Sequence, residues 1–171
     1  IWLNDASNHE KAKEVQDEIL SLGRDCRLLP FDISDKEKVF SSIQEALSSL
    51  SPEEKVTVLV NNAGIIRDNI FSWMQVSEWE EVIHTNLDGF FYVTKALLDH
   101  FQENRTGSIV NISSISGVMG NYGQTNYSAA KAGLIAAGKA LSKELGRSKI
   151  RVNTVVPGII DTDMAKEIDR K

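Results

Sequence analysis

A chain of 171 residues, 42% hydrophobic and 25% charged, fits one soluble domain with an ordinary core. Its net charge of −5 and pI near 5.2 argue against a nucleic-acid binder, which would show a basic face, and against attraction to anionic membranes. No apolar run approaches the roughly 18 residues that span a bilayer, and the single cysteine, Cys26, excludes an internal disulfide or a CxxC site.

Apolar runs and helical patterns alternate along the chain. Ile1 to Asn4 reads as the end of a strand, and Glu10 to Leu22 as a helix with Ala12, Val15, Ile19 and Leu22 inward, ended by Gly23. Cys26 to Phe31 is the next strand, with Cys26 as a buried structural thiol. Asp35 precedes a helix that turns Val39, Phe40, Ile43 and Leu47 inward and ends before Ser51-Pro52. Val56 to Val60 is a short β-branched strand broken at Asn61-Asn62-Ala63-Gly64. Glu78 to Asn104 reads as one long helix, Ser108 to Ile112 as a buried strand, and Ser113 to Gly123 as a Gly- and Ser-rich loop. An Ala-rich helix from Asn126 to Leu145 and a strand from Val152 to Val156, cut off at Pro157-Gly158, complete the pattern.

That alternation predicts a three-layer α/β/α, Rossmann-type doubly wound parallel sheet, in a single domain over residues 1–171. Asp5, Asp32, Asn61-Asn62, Ser113-Ser114 and Pro157-Gly158 all follow the carboxyl ends of predicted strands. In open α/β sheets that edge is where ligands bind. His9, His84 and His100 share no metal-ligand spacing, so no metal is expected.

The chain resembles the classical short-chain dehydrogenases/reductases. Asn61-Asn62-Ala63-Gly64, Asn86, Ser114, Tyr127-Ser128-Ala129-Ala130-Lys131 and Pro157-Gly158 occur in that family's order. Of the three tyrosines only Tyr127 has a Lys four residues on, and a Ser stands thirteen residues before it at a strand end. Within the family, Gly64-Ile65-Ile66-Arg67-Asp68-Asn69, Gly120-Asn121-Tyr122-Gly123-Gln124 and Ile160-Asp161-Thr162-Asp163-Met164 resemble the 3-oxoacyl-carrier-protein reductases. The resemblance implies a nicotinamide-dependent oxidoreductase that reduces the 3-keto group of an acyl thioester in fatty acid biosynthesis.

Two features depart from the family pattern. The chain has no initiator Met and opens inside a strand, and the family's first strand, with its Gly-rich pyrophosphate turn, is missing. That strand belongs at the sheet's centre, so a longer parent chain, truncated at both ends, is expected.

Helical geometry places Tyr127 and Lys131 one turn apart on one face. Bringing a phenol from a pKa near 10 to about 7 requires roughly 4 kcal/mol. A Lys charge about 4 Å away supplies ~4 kcal/mol at an effective dielectric of about 20, but only ~1 in open water. The pair therefore needs a partly closed cleft. The resemblance implies that Tyr127 protonates the substrate oxygen, Ser114 holds it, Gln124 borders the substrate and Lys131 bonds the nicotinamide ribose. It further implies that Asn86 kinks its helix and fixes a proton-relay water through its backbone carbonyl.

Asn61, Ala63 and Gly64 are expected along the adenosine half of the cofactor, with Asp32 and Ile33 near the adenine. Pro157, Gly158, Ile160 and Thr162 are expected around the nicotinamide. Family habit implies NADP(H). Asp5, at a strand end, can instead accept both ribose hydroxyls and repel a 2′-phosphate, which points to NAD(H). Both remain open.

Ala129, Ala130, Ala132, Ala136, Ala137 and Ala140 give the Tyr127 helix a small-residue surface, and the resemblance implies pairing of such helices in a homotetramer. Arg105, Arg147 and Lys149 are candidate docking cations for an acidic acyl carrier protein, although cations also favour helix C-termini on their own account. The expected location is cytoplasmic, with neither nucleic acid nor membrane as partner. The alternatives are a dehydrogenase of another alcohol (a sugar, steroid or hydroxyacyl-CoA) and a catalytically silent binding protein. Intact Ser114, Tyr127, Lys131 and Asn86 argue against the latter.

Overall fold

Five short strands alternate with helices through residues 1–160, the part of the chain that the computed structural model describes. β1 (Trp2–Asp5) leads into α1 (His9–Ser21), where the Asn8 side chain accepts the Lys11 N–H and so satisfies one of the helix's unpaired donors. β2 (Arg27–Pro30) is followed by α2 (Lys36–Ser48), capped in the same way by Asp35 through the Lys38 N–H. β3 (Val58–Asn61) precedes α3 (Val76–Ile83), whose start is a capping box between Gln75 and Glu78. A π-helical turn over His84–Asp88 joins α3 to α4 (Gly89–Asn104). β4 (Gly107–Ile112), a single turn α5 (Ser116–Met119), α6 (Thr125–Leu145) and β5 (Ile150–Val155) complete the order.

Every pairing is parallel, which requires a crossover between neighbouring strands; helices supply it. This is the α/β organisation of the doubly wound class. Among the described residues the strands form two sheets, β1-β2 and β3-β4-β5. Between β1 and β3 lies a slot of about 1060 Å³, lined by Leu3 and Asn4 on one side and by Leu59 and Val60 on the other. Val58 and Val60 are 56% and 54% exposed, although strands of a parallel sheet are normally covered on both faces. One core nevertheless joins the halves: Leu29, Val39 and Ile43 belong to the same buried cluster as Leu97, Phe101, Ile109, Leu145 and Ile150.

Several sequence expectations change. The predicted long helix is interrupted at Asn86, where the resemblance implies a kink, and the predicted loop after β4 contains α5. α1 buries Ala12, but Val15 and Leu22 of its apolar stripe are exposed. Cys26 stands just ahead of β2 and is only half-buried. Arg105, Arg147 and Lys149 do gather, with an Arg105 guanidinium N–H donating to the Arg147 carbonyl at 3.4 Å. They sit where the chain enters β4 and β5, at the amino ends of those strands. The six residues of β4, at about 3.3 Å each, separate that edge from Ser114 by roughly 20 Å. No helix among the described residues is long and apolar enough to cross a membrane.

Candidate active site

The carboxyl end of β4 organises the site. Past Ile112 the chain bends through Ser113 and Ser114, and it stays beside β5 because Ser113 N–H bonds the Val155 carbonyl at 2.8 Å and Ile115 N–H the Pro157 carbonyl at 2.9 Å. The Ser113 hydroxyl donates to the Lys131 carbonyl at 2.8 Å, and the Lys131 ammonium donates to the Ile112 carbonyl at 2.9 Å. At Gly117 a Cβ would fall 2.7 Å from the Lys131 carbonyl carbon and 2.8 Å from Ala132 N, so only glycine lets α5 touch the α6 backbone there. Main chain and side chain of Lys131 are thus both fixed from β4 and its loop.

Tyr127, the third residue of α6, lies with its ring centroid 5.5 Å from Lys131 Nζ. The Ser114 side chain faces its phenol closely enough to lower the phenol's pKa. Asn86 stands in the π turn, where an extra residue per turn swings its side chain toward the strand edge. There its Oδ1 accepts the Ile65 N–H at 2.8 Å and its Nδ2 donates to the Ile65 carbonyl at 2.9 Å. Gly64 is wedged between these groups: a Cβ would lie 2.9 Å from Asn86 Oδ1 and 3.4 Å from Lys131 Nζ. The structure therefore brings Ser114, Tyr127, Lys131 and Asn86 into one cluster around Gly64.

The electrostatics differ from the sequence expectation. Burial pushes the Tyr127 phenol above its ordinary value of 10, the Ser114 side chain pulls it partly back, and the negative charge of Asp68 pushes it up again. A phenol lowered toward 7 by Lys131 is not what the geometry yields. The reason is that the ammonium is itself buried: desolvation brings Lys131 down from 10.5 to about 8. At neutral pH the site holds a protonated phenol beside a weakly held ammonium proton.

The remaining expected residues divide. Asp5 closes β1, but its carboxylate already accepts the Ser7 N–H at 3.1 Å and the Asn8 N–H at 2.8 Å and contacts the His9 ring. Slight burial tends to raise its pKa, and these bonds more than reverse that, holding the carboxyl below its ordinary value. Asp32 accepts the Ser34 N–H and hydroxyl, each at 2.8 Å, in a local turn. Ile33 packs toward Gly89 at the start of α4. The Asn61 side chain turns inward to Thr94 Oγ1 and Asn111 Oδ1, while Ala63, Gly158 and Ile160 are exposed on the same edge and Pro157 is half-buried. Thr162 lies outside the described residues.

Gln124 was expected at the substrate and is not available to it. It is 1% exposed, its Oε1 accepts Ser116 Oγ at 3.1 Å and Asn121 Nδ2 at 3.0 Å, and its Nε2 donates to Asp68 Oδ2 at 2.9 Å. Sequence reasoning gave Asp68 and Asn126 no role at the site. Asn126 is fully buried, donates to the Arg67 and Glu78 carbonyls and accepts the Tyr127 N–H, which fixes the first turn of α6. Its position beside the Tyr was the only available signal.

An ammonium carries three donors, and the structure gives Lys131 one acceptor among the described residues, in a pocket that also holds the Tyr127 ring. Together with the Asp5 carboxylate and the exposed backbone of Ala63 and Gly158, this edge suits a nucleoside ligand with paired hydroxyls.

Fold and site define a doubly wound α/β protein with Ser114, Tyr127 and Lys131 gathered at its strand ends. The chain belongs to the short-chain dehydrogenase family, whose model matches residues 3–171. It is 41% identical over 170 residues to the 3-oxoacyl-[acyl-carrier-protein] reductase FabG of Chlamydia trachomatis, covering 99% of this chain and 66% of that protein. The FabG proteins of Pseudomonas aeruginosa (39% over 168 residues, 98% of this chain and 67% of theirs) and Staphylococcus aureus Mu50 (41% over 164 residues, 96% and 65%) are similar in the same way. The chain thus spans about two thirds of the length of these relatives.

Proposed function

We propose that the protein is a nicotinamide-dependent reductase of 3-oxoacyl thioesters in fatty acid biosynthesis. The observation that carries this reading is the joining of Tyr127, Ser114 and Lys131 at one strand edge with the phenol kept protonated. A protonated phenol is an acid, which suits reduction of a carbonyl more than oxidation of an alcohol. Relatives named as 3-oxoacyl-carrier-protein reductases supply the substrate class.

The substrate carbonyl oxygen sits against the Ser114 and Tyr127 hydroxyls. Tyr127 donates its proton as negative charge builds on that oxygen, and Ser114 stabilises the same charge by a hydrogen bond. Lys131 stabilises the phenolate left behind, and at a pKa of about 8, below that of the phenol, its ammonium can return a proton to it. Asn86 keeps the Ile65 backbone, and with it Gly64, packed against Lys131. A bound nicotinamide supplies the hydride; Lys131, Asp5, Asp32, Ile33, Asn61, Ala63, Gly64, Pro157, Gly158, Ile160 and Thr162 would hold it.

The low pKa of Asp5 keeps a negative charge at the end of β1 and favours NAD(H). The His9 ring against it offers a compensating cation that favours NADP(H) when protonated. Ala129, Ala132, Ala136 and Ala140 are exposed along one face of α6, which supports close packing of that face in a homotetramer. The slot between β1 and β3 supports a single domain completed by a further parallel strand paired to both edges.

The test is Tyr127→Phe in the full-length enzyme, assayed for acetoacetyl-CoA reduction with each nicotinamide alongside cofactor binding by fluorescence. Turnover should fall by at least about a hundredfold, the range of a positioned general acid, with the cofactor Kd unchanged. A variant with wild-type turnover would remove Tyr127 from the mechanism. Activity confined to sugar or steroid alcohols would instead favour another dehydrogenase.

A further inference from the structure

Two segments that set this sequence apart, around Arg67-Asp68-Asn69 and Asn121-Tyr122-Gly123-Gln124, carry none of the chemistry above, yet they meet in space. Asn69 N–H donates to the Gly123 carbonyl at 2.9 Å, a contact that Gly123 allows through its left-handed φ of 74°. Gln124 Nε2 donates to Asp68 Oδ2 at 2.9 Å across 56 residues of sequence. On its other side Gln124 Oε1 accepts the Ser116 hydroxyl, and Ser116 N–H donates to Ser114 Oγ at 3.2 Å. Ser114 in turn faces the Tyr127 phenol, whose pKa it lowers. A hydrogen-bonded chain therefore runs from Asp68 through Gln124 and Ser116 to Ser114, beside Tyr127. Gln124 also accepts, through its backbone carbonyl, the Ser128 N–H at 2.7 Å in the first turn of α6.

We propose that Asp68 and Gln124 are positioning residues, a clasp between the loops after β3 and β4 that holds Ser114 and Tyr127 in register and places a negative charge behind the proton donor. This rests on the reading of Tyr127 as that donor. Neither residue touches substrate: Gln124 is buried, and Asp68 acts through it. Three groups among the described residues bear on the phenol: Lys131 from α6, Ser114 from the loop after β4 and Asp68 from the loop after β3. Lys131 favours the phenolate. Asp68 opposes it and keeps the acid protonated until the substrate oxygen draws the proton away.

Asp68→Asn in the full-length enzyme keeps an oxygen for Gln124 Nε2 and removes the charge. Tyrosinate absorbance, taken as the difference from Tyr127→Phe, should then titrate at lower pH, and the alkaline limb of kcat/KM for reduction should move the same way. Cofactor binding should not change. Gln124→Glu sets two carboxylates against each other and should cost about ten- to a hundredfold in kcat with little change in KM, the size expected for a displaced catalytic group. Combining Gln124→Glu with Asp68→Asn restores a donor facing an acceptor, with the Ser116 and Asn121 bonds kept, and should recover most of that loss. An unmoved tyrosinate titration in Asp68→Asn overturns the electrostatic role, and a double variant no better than Gln124→Glu overturns the clasp. Neither readout depends on which acyl substrate is correct, so either failure is distinct from failure of the reductase reading.

Discussion

Lys131→Met separates what this residue does for catalysis from what it costs the fold. The drop in its pKa from 10.5 to about 8 corresponds to about 3 kcal/mol of destabilisation when the ammonium is charged. Below pH 8 folded and unfolded chains both hold the proton, and the folded protein bears the whole penalty. Between about 8 and 10.5 the unfolded chain holds a proton that the folded one has released, so stability rises with pH through that window, and above it the penalty is gone. Methionine has no such window. It also leaves the Ile112 carbonyl without its donor, a pH-independent cost of about 1–3 kcal/mol. The variant should therefore be as stable as the wild type at pH 7 or up to about 2 kcal/mol more stable, while losing nearly all turnover. Between pH 7 and 9.5 the wild type should gain about 2 kcal/mol on it. Urea unfolding of both proteins, followed by circular dichroism at one protein concentration and these two pH values, measures the difference. A stability gap that does not change with pH would show that the Lys131 charge is not held out of solvent, and the argument for a shielded proton-transfer pocket would fall with it.

Two further substitutions probe the surroundings of the site and the opposite edge of the sheet. Gly64→Ala drives a methyl to 2.9 Å from Asn86 Oδ1, an atom already tied to the Ile65 N–H, so it cannot swing aside freely. It should destabilise by about 1–3 kcal/mol and slow turnover about tenfold or more; unchanged melting temperature and kcat would mean that the wedge at Gly64 is not tight. Arg105→Gly relieves a non-glycine residue at φ 48° that ends α4, a strain of about 1–2 kcal/mol, against about 0.5–1 kcal/mol for the freedom glycine loses on folding, so thermal unfolding should show a net stabilisation of about 1 kcal/mol or less. It also tests Arg105 as a docking cation: a tenfold rise in KM for a carrier-protein-linked substrate would support that role, and an unchanged KM would oppose it.

What could be read from the sequence was local or periodic. The Tyr127–Lys131 pairing is a property of any helix, the caps at Asn8 and Asp35 follow from side chains that bond their own backbone, and the strand ends show as abrupt switches from β-branched to polar residues. What was missed depends on distant partners. Nothing between His84 and Asp88 breaks the helical period of apolar residues, so only the resemblance implied a kink at Asn86; the π turn goes with the Asn86 side chain clamping Ile65, 21 residues away. The direction of the Tyr127 shift required knowing that burial acts on the phenol and the ammonium together. Gln124 was placed at the substrate, and its bonds to Asp68, Ser116 and Asn121 show instead that it faces inward.

The depth at which α6 lies against the sheet is what turns sequence spacing into a reactive pocket. The last position of β3 pairs with Asn111 of β4, and Asn111 with Thr154 of β5, so Asn61, Asn111 and Thr154 form a polar row in register across three strands. Asn61 bonds Asn111 within that row, and a one-residue slip of any strand would turn its member to the opposite face. Gly138 of α6 rests directly on the row: a Cβ there would lie 2.6 Å from Thr154 Oγ1 and 3.0 Å from Asn111 Nδ2. Gly138 is seven residues, about two helical turns, after Lys131 and therefore on the same face. Contact at Gly138 at one point, and against Gly117 at the other, brings α6 close enough for the ammonium to reach the Ile112 carbonyl, one residue beyond the polar row. A bulkier residue at either glycine would lift the helix and take Lys131, and with it the support for the Tyr127 phenolate, away from the strand ends while every catalytic side chain remained in the sequence.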